Sequence, residues 1–365
     1  MSKNQSKRKK PTPSPAPEPS PKKRGKLWFN IFAVVLALGT LTVIVTMSAE
    51  KQASNQLVNS PVVLTPPTSG IEAAETEEAN AIGELHELLA VDPEKLGDID
   101  IARMNLLCAL GLPGAEGMDI EQELAVLDKW AAMVKFETDR DIHKFYADPG
   151  NFENSEGYYR ILMLITVLQQ DFEVRYNPDR IFSPDFTDCR DAFVNGLTQA
   201  STGEHAGGTC VSMPVVYVAV ARRLGYPVKL ATTREHVFAR WEDEKDRFNI
   251  EATGQGLNTY SDDHYRTWPS TLTPKERASG AYLRSLTPAQ ELGLFMAARG
   301  YVLDDTDRKH EATVAYAYAH MLDPVSIDSF DNLGRSILRR LPEYPAVQER
   351  PQMGTTGRRT PPSRP

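Results

Sequence analysis

A cysteine and a histidine of a kind that can act together as nucleophile and base lie near each other in the middle of the chain. Gly207-Gly208-Thr209-Cys210 opens an apolar helical run, and His236 begins a strand-like segment downstream. A thiol is a poor nucleophile until its pKa is lowered, and the unpaired N–H groups and dipole of a helix's first turn lower it. We therefore expect Cys210 to be a reactive thiol at a helix N-terminus.

The helix behind Cys210 is predicted from its apolar spacing. Apolar residues recur at helical intervals from Val211 to Leu224, and Pro214 is tolerated only near a helix start. Gly225 followed by Pro227 ends the run. Cys210 is therefore predicted to cap a buried helix.

A hairpin then brings an acid to the histidine. The strand candidates are Val228 to Thr232, His236 to Trp241 and Arg247 to Thr253, with the charged turn Glu242-Asp243-Glu244-Lys245 between the last two. An even loop centred between Asp243 and Glu244 places Glu251 directly opposite His236, with their Cβ atoms about 4.5–5.5 Å apart. The result is a Cys210–His236–Glu251 triad, in which the base takes the thiol proton and the acid orients the base.

Each residue also has an ordinary interpretation when it is taken alone. A cysteine in apolar surroundings is usually a small buried hydrophobe, His236 alone a satisfied strand histidine, and Glu251 alone a solvated strand residue. A zinc site is a further alternative, but no second Cys or His stands at zinc-ligand spacing around Cys210 or His236. We therefore expect neither a metal nor a cofactor, and the coincidence of all three residues favours chemistry.

These motifs resemble the transglutaminase-like superfamily, whose papain-like core has a Cys at a helix N-terminus followed by His and Asp on adjacent strands. The matching residues are Cys210 in Gly-Thr-Cys, His236 in His-Val-Phe-Ala-Arg-Trp, and Glu251 in Asn-Ile-Glu-Ala-Thr, where the family usually shows Asp. This match covers residues 208–254. A wider similarity, from Leu85 to Asp323, is to the SirB-type members, which carry a helical lobe before the core and a TPR-like helical pair after it.

The charge of the chain is unevenly distributed. The 365 residues carry a net charge of −8 and are 41% hydrophobic, which is enough for one sizeable globular region. Residues 1–26 hold nine Lys or Arg and one acid, Glu18, so the remainder has 32 basic and 48 acidic residues, a net charge of −16. This balance argues against nucleic-acid binding by the globular part.

A membrane anchor is predicted near the N-terminus. Leu27 to Met47 is 21 residues without a charge, long enough to span a bilayer, and it follows a basic cluster that stays on the cytoplasmic side. A cleaved signal peptide is the alternative, but Met47-Ser48-Ala49 fits a cleavage site poorly. We therefore expect an uncleaved anchor with the domain on the extracytoplasmic, periplasmic side.

Helical patterns fill most of the rest of the chain. Apolar stripes from Ala81 to Tyr176 indicate a helical lobe. In an oxidising compartment Cys108 and Cys189 could form a disulfide, which would leave Cys210 as the free thiol. Two runs, Pro288 to Tyr301 and Arg308 to Leu322, predict an antiparallel pair that must dock on the core, as a buttress or as a partner groove.

The sequence thus predicts an α+β, papain-like core with a helical N-terminal lobe, a C-terminal TPR-like pair and an N-terminal transmembrane helix. The predicted segments are a disordered basic tail (1–26), the transmembrane helix (27–47), a linker (48–80), the transglutaminase-like domain (81–285), the TPR-like helices (286–340) and a disordered tail with six prolines (341–365).

The predicted activity is that of a membrane-anchored thiol enzyme acting on a peptide or protein of the cell envelope. Attack by Cys210 on a peptide or side-chain amide gives a thioester that water or an amine resolves, by hydrolysis, deamidation or acyl transfer. The expected oxyanion donors are the Cys210 N–H and Gln199. The alternative is a catalytically silent envelope scaffold of the same fold.

Overall fold

A computed structural model of the chain describes residues 83–180, 184–198 and 207–340, which belong to one compact unit. The predicted basic tail, transmembrane helix, linker and C-terminal tail lie outside the described residues. Among the residues that are described, no helix is both long enough and apolar enough to cross a membrane.

The described part is an α+β fold made mostly of helices, as predicted. Residues 83–89 are helical. The longer elements that follow are α1 (Ile101–Ala109), α2 (Ile120–Ala147), α3 (Glu156–Gln170), α4 (Asn195–Thr198), α5 (Met213–Arg223), β1 (Val228–Thr233), β2 (His236–Glu242), β3 (Arg247–Ile250), α6 (Asp262–Tyr265), α7 (Pro274–Ser279), α8 (Pro288–Asp305), α9 (Lys309–Leu322) and α10 (Ile327–Leu338).

The helices of the first half begin where side chains can satisfy their free N–H groups. Asp100 accepts hydrogen bonds from two N–H groups in the first turn of α1, Asp119 does so for α2, and Ser155 accepts one in α3. Such N-caps fix where a helix starts. These three helices match the apolar stripes of the predicted lobe.

The three strands form one antiparallel sheet with β2 in the middle. Side chains of β2 alternate between two faces. One face joins the main apolar core, on which α5 lies buried from Met213 to Ala221. The other face carries His236, Phe238 and Arg240, and Phe238 packs there with Tyr265 of α6 in a second, smaller cluster. His236 therefore lies on the same face of the sheet as Phe238, the face that Tyr265 covers.

The predicted β2–β3 register is wrong by two residues, because Arg240 pairs with Asn249 rather than with Arg247. The cause is the turn. The Asp243 N–H donates to the Asp246 carbonyl (3.0 Å) while the Asp243 carboxylate accepts from the Asp246 N–H (2.7 Å), so the turn spans residues 243–246. A shift by two residues leaves every side chain on its predicted face, whereas a shift by one would have reversed it.

The C-terminal helices share the main core. α8 and α9 coincide with the predicted pair, although α8 continues to Asp305, and α10 adds a third helix. Arg299 of α8 donates to the carbonyls of Cys108 (2.8 Å) and Leu110 (2.7 Å) at the end of α1. The Arg222 guanidinium of α5 binds the fully buried carboxylate of Glu291 at 2.7 and 2.9 Å. These bonds join α8 to both α1 and α5.

Cys108 and Cys189 do not pair, because both are free and each has a different neighbour. The Cys108 Sγ lies 3.8 Å from the Sδ of Met296, and the Cys189 Sγ accepts a hydrogen bond from the Asn195 amide at 3.5 Å. Burial raises the pKa of each thiol to about 12. Neither of them is a competing nucleophile at neutral pH.

Candidate functional site

Glycines at the approach to Cys210 allow two backbone segments to touch. Gly208 forms a parallel bridge with Tyr176, in which the Gly208 N–H donates to Arg175 O (2.9 Å) and Gly208 O accepts from the Asn177 N–H (2.8 Å). Gly207 has φ +123°, and a Cβ there would lie 2.5 Å from Arg175 O. Glycine is therefore required at 207, because the backbone has a positive φ and because a side chain would collide with the Arg175 carbonyl.

Cys210 itself lies in a turn just before α5. The regular helix begins at Met213, with Ser212 as its N-cap, so the prediction that Cys210 caps the helix is wrong by two residues. Pro214 lies in the helix's first turn, as expected for a residue without an N–H. Thr209 nevertheless makes the bonds of an N-cap, since its Oγ1 accepts from the Val211 N–H (3.2 Å) and its carbonyl accepts from the Met213 N–H (3.0 Å).

The same turn is anchored from outside. The hydroxyls of Thr209 (2.7 Å) and Ser212 (3.2 Å) both donate to the Asp191 carbonyl. The Thr209 N–H donates to the Ser212 Oγ at 3.0 Å. The N–H groups on both sides of Cys210 therefore have partners within the turn, and Cys210, which is partly exposed, is held between them. Gln199, the second expected oxyanion donor, lies outside the described residues.

His236 and Glu251 come together as predicted, despite the shifted register. The His236 Nε2 lies 2.9 Å from the Glu251 Oε2, and the two residues are only 6% and 3% exposed. The Cys210 side chain is close enough to His236 to contribute to its raised pKa. Because Nε2 faces the carboxylate, the other ring nitrogen, Nδ1, is the one left for the thiol. The structure thus brings all three predicted residues near one another.

The carboxylate of Glu251 is saturated with donors. β3 ends at Ile250, three residues earlier than predicted, and the chain turns at Glu251, whose N–H donates to the Asn258 carbonyl at 2.9 Å. The Oε1 atom accepts from the N–H (2.9 Å) and the Oγ1 (2.5 Å) of Thr253. The Oε2 atom accepts from the Tyr265 hydroxyl at 2.8 Å in addition to its contact with His236. A carboxylate with so many donors is stabilised in its ionised form.

The charges of the pair follow from these contacts. Burial alone would lower the pKa of His236, but the interactions with Cys210 and Glu251 outweigh it and raise that pKa to about 9. Burial alone would raise the pKa of Glu251, but the hydrogen bond and charge of His236 and the bonds from Thr253 lower it. At neutral pH the pair is therefore an imidazolium and a carboxylate.

Aromatic rings surround the pair. The Trp268 ring meets the His236 ring edge-on, with centroids 4.7 Å apart, and is 38% exposed, so it lies between the imidazole and solvent. Tyr176 lies on the cysteine side, where burial and the charges of Cys210 and Glu251 raise its pKa. An apolar wall of this kind shields the imidazolium–carboxylate contact from water.

Sequence reasoning missed Tyr265, Trp268, Tyr176 and Thr253. A helix start was readable at Ser261-Asp262-Asp263, where Ser261 caps α6. That signal does not say which face of the sheet a four-residue helix will cover. No group of three or more metal-ligating side chains is assembled within the described ranges.

No protein-family model, no curated protein and no solved structure matches the chain. The resemblance to transglutaminase-like proteins therefore remains a prediction from the sequence motifs.

Proposed function

We propose that the chain is a transglutaminase-like thiol enzyme that acts on peptide or side-chain amides through Cys210, His236 and Glu251. The observation that supports this proposal best is the buried His236–Glu251 contact at 2.9 Å, with the Cys210 thiol near the same imidazole. In this arrangement Cys210 is the nucleophile, His236 transfers the proton, and Glu251 orients the histidine. Its burial among aromatic rings is consistent with a site that excludes bulk water.

In the proposed reaction the Cys210 Sγ bonds to the carbonyl carbon of the amide. His236, as imidazolium, gives its proton to the leaving nitrogen as the C–N bond breaks, which leaves a thioester and a neutral imidazole. Water or a second amine then attacks the thioester, His236 takes the proton of the attacking group, and the C–S bond breaks, so that the Cys210 Sγ leaves as a thiolate beside the imidazolium. Glu251 remains ionised throughout and stabilises the imidazolium each time His236 is protonated. The Cys210 N–H is the proposed donor to the oxyanion.

The proposal includes the location of the site. The uncharged run Leu27–Met47 behind a basic segment supports a single-pass anchor with the domain outside the cytoplasmic membrane. The proposed substrates are then peptides or proteins of the cell envelope. Protease added to intact spheroplasts should degrade the domain, and a domain that survives until the membrane is lysed would reverse this topology.

The decisive test of the chemistry is selective alkylation. The full chain is treated with iodoacetamide between pH 5 and pH 9, and each cysteine is followed by peptide mass spectrometry. Cys210 should react far faster than Cys108 and Cys189, whose pKa values of about 12 make them internal controls. Faster reaction at either of those buried thiols would contradict the assignment.

Turnover is tested separately with an N-blocked glutaminyl peptide and hydroxylamine. A thioester at Cys210 would yield the hydroxamate, and Cys210→Ser and His236→Gln should abolish it. Ammonia without hydroxamate would indicate deamidation in place of acyl transfer.

A second candidate function, a catalytically silent scaffold, is favoured by one observation. Half of the ten exposed large apolar side chains in the described part belong to α9, α10 and the loop between them, namely Val314, Met321, Val325, Phe330 and Ile337. Apolar side chains grouped in this way are typical of interaction surfaces. An alkylation profile in which Cys210 behaves as an unactivated thiol would favour this scaffold.

A further inference from the structure

Glu251 is held from two directions, and only one of them is local. Thr253, two residues along the chain, binds Oε1 through its N–H and hydroxyl. The Tyr265 hydroxyl comes from a different element and binds Oε2, the same oxygen that contacts His236. Contacts to Thr253 alone would leave the outer end of a three-torsion side chain free to swing about Oε1. Contact with Tyr265 prevents that movement.

Tyr265 is itself firmly placed. Its ring stacks on Phe238, two residues along β2 from His236, with centroids 4.0 Å apart and planes 3° from parallel. Its carbonyl accepts from the Thr233 hydroxyl at 2.7 Å. At the other end of α6, Asp262 accepts from the buried Arg240 guanidinium at 2.7 Å. The sheet therefore holds both ends of the short helix that carries this hydroxyl.

The hydroxyl remains a donor at neutral pH. Burial and the neighbouring carboxylate raise the pKa of Tyr265 well above its usual range, so it stays protonated. The titratable groups that face Glu251 are His236 on β2, Cys210 in the turn, Tyr176, Tyr217 on α5 and Tyr265 on α6. Burial keeps the other two tyrosines neutral as well.

We infer that Tyr265 is a positioning residue for the triad, because its hydroxyl fixes the Glu251 Oε2 at the point where that atom meets the His236 ring. Glutamate has one methylene more than the aspartate that usually orients a catalytic histidine in proteins of this kind. Tyr265 stands where it can hold the end of the longer side chain. This inference rests on the proposed function.

The test uses the full chain with Tyr265→Phe, which keeps the ring stack and removes one oxygen. The matched control is Tyr282→Phe, because the Tyr282 hydroxyl also donates to a carboxylate, Asp328, at 3.0 and 3.1 Å, away from the triad. Loss of a hydrogen bond to a charged group should lower the alkylation rate of Cys210 about tenfold or more. The acid limb of the pH–rate profile should move to higher pH, since the carboxylate has lost a donor.

A rate and an acid limb that stay at their wild-type values in Tyr265→Phe would overturn the inference, as would an equal loss in Tyr282→Phe. Glu251→Asp is the second variant and is independent of how Tyr265→Phe folds. Its shorter carboxylate cannot reach Tyr265 and His236 together, so it should also react more slowly. If Cys210 in Glu251→Asp reacted as fast as in the wild type, the contact between the Glu251 carboxylate and Tyr265 would not be needed.

A readout without activity separates this inference from the proposed function. Nitrogen-15 NMR titration of His236 should show a lower imidazole pKa in Tyr265→Phe than in the wild type, because a loosened carboxylate stabilises the imidazolium less. An unreactive Cys210 together with this shift would reject the enzyme and keep the positioning role. An unshifted His236 would reject the positioning role itself.

Discussion

At the scale of single residues, the site is an ion pair with a sulfur at one end. Both partners are almost fully buried, so the pair can be stable only because each polar atom has a partner. The meeting of His236 and Glu251 was predictable from the sequence, because alternation along neighbouring strands decides which side chains share a face. Tyr265 and Trp268 were not predictable, because their contacts depend on how a later loop folds over the sheet.

Replacing Glu251 by glutamine should lower both the reactivity of Cys210 and the stability of the fold. Both carboxylate oxygens accept from donors, so an amide must turn its NH₂ group towards one of these donors. We expect alkylation to slow at least tenfold and the free energy of unfolding to fall by about 1–3 kcal/mol. Urea titration and alkylation measure the two effects. Glu244→Gln, in the exposed β2–β3 turn, is the control and should change neither.

The pH dependence of stability should show the raised pKa of His236. A pKa raised from 6.5 to about 9 means that the imidazolium adds stability that is complete below pH 6.5 and is lost as the pH rises through about 9. The lowered pKa of Glu251 limits the same stability at the acid end. The gap in unfolding free energy between wild type and His236→Gln should therefore narrow between pH 6.5 and pH 9.5. A gap that is constant over this range would show that the imidazolium is not the stabilised form.

At the scale of elements, the outer face of the sheet is the part that positions the triad. α6 covers it through Tyr265 and through Asp262, which binds Arg240 and the Asn249 amide at 2.9 Å. The hydrophobic pattern predicted the strands and most helices closely, because periodicity depends on the chain itself. The exact register depended on hydrogen bonds within the Asp243 turn, which the charge pattern of that segment does not specify.

Asp262→Ala should destabilise the fold strongly, since it removes the carboxylate partner of a guanidinium that is fully buried. Leaving one charge of a buried pair alone costs about 3–5 kcal/mol, and the partial exposure of Asp262 places the expected loss at about 2–3 kcal/mol. Its neighbour supplies the comparison. Asp263 is 82% exposed and pairs with Arg266 at the surface, so Asp263→Ala should change stability by less than about 0.5 kcal/mol. Similar midpoints in urea for both variants would contradict the role of Arg240.

At the scale of the whole molecule, the N-terminal lobe, the sheet and the C-terminal helices share one core within the described ranges. The sequence predicted that the helical pair must dock. It did not predict that Arg299 would complete the end of α1 or that Glu291 would pair with Arg222, because contacts between residues so far apart leave no local pattern.

Removing residues 286–365 should therefore prevent stable folding, since it exposes the core surfaces of α1 and α5 and leaves Arg222 without its partner. Removing residues 341–365 alone is the control. That shorter chain keeps every described helix and should retain a cooperative thermal transition. Circular dichroism and thermal unfolding of the two truncated chains distinguish these outcomes, and a cooperative transition in the longer deletion would show that the lobe and sheet fold by themselves.

The hydrogen bonds from Arg299 to the end of α1 join residues separated by about half of the polypeptide. This separation affects when the core can form during translation. The first helices emerge early, yet the carbonyls at the end of α1 receive the Arg299 donor only after α8 has been synthesised. A nascent chain therefore remains without a finished core through most of translation. For a protein that must be threaded across a membrane, as proposed here, this delay is useful, because a secretion channel accepts an unfolded chain and rejects a folded domain.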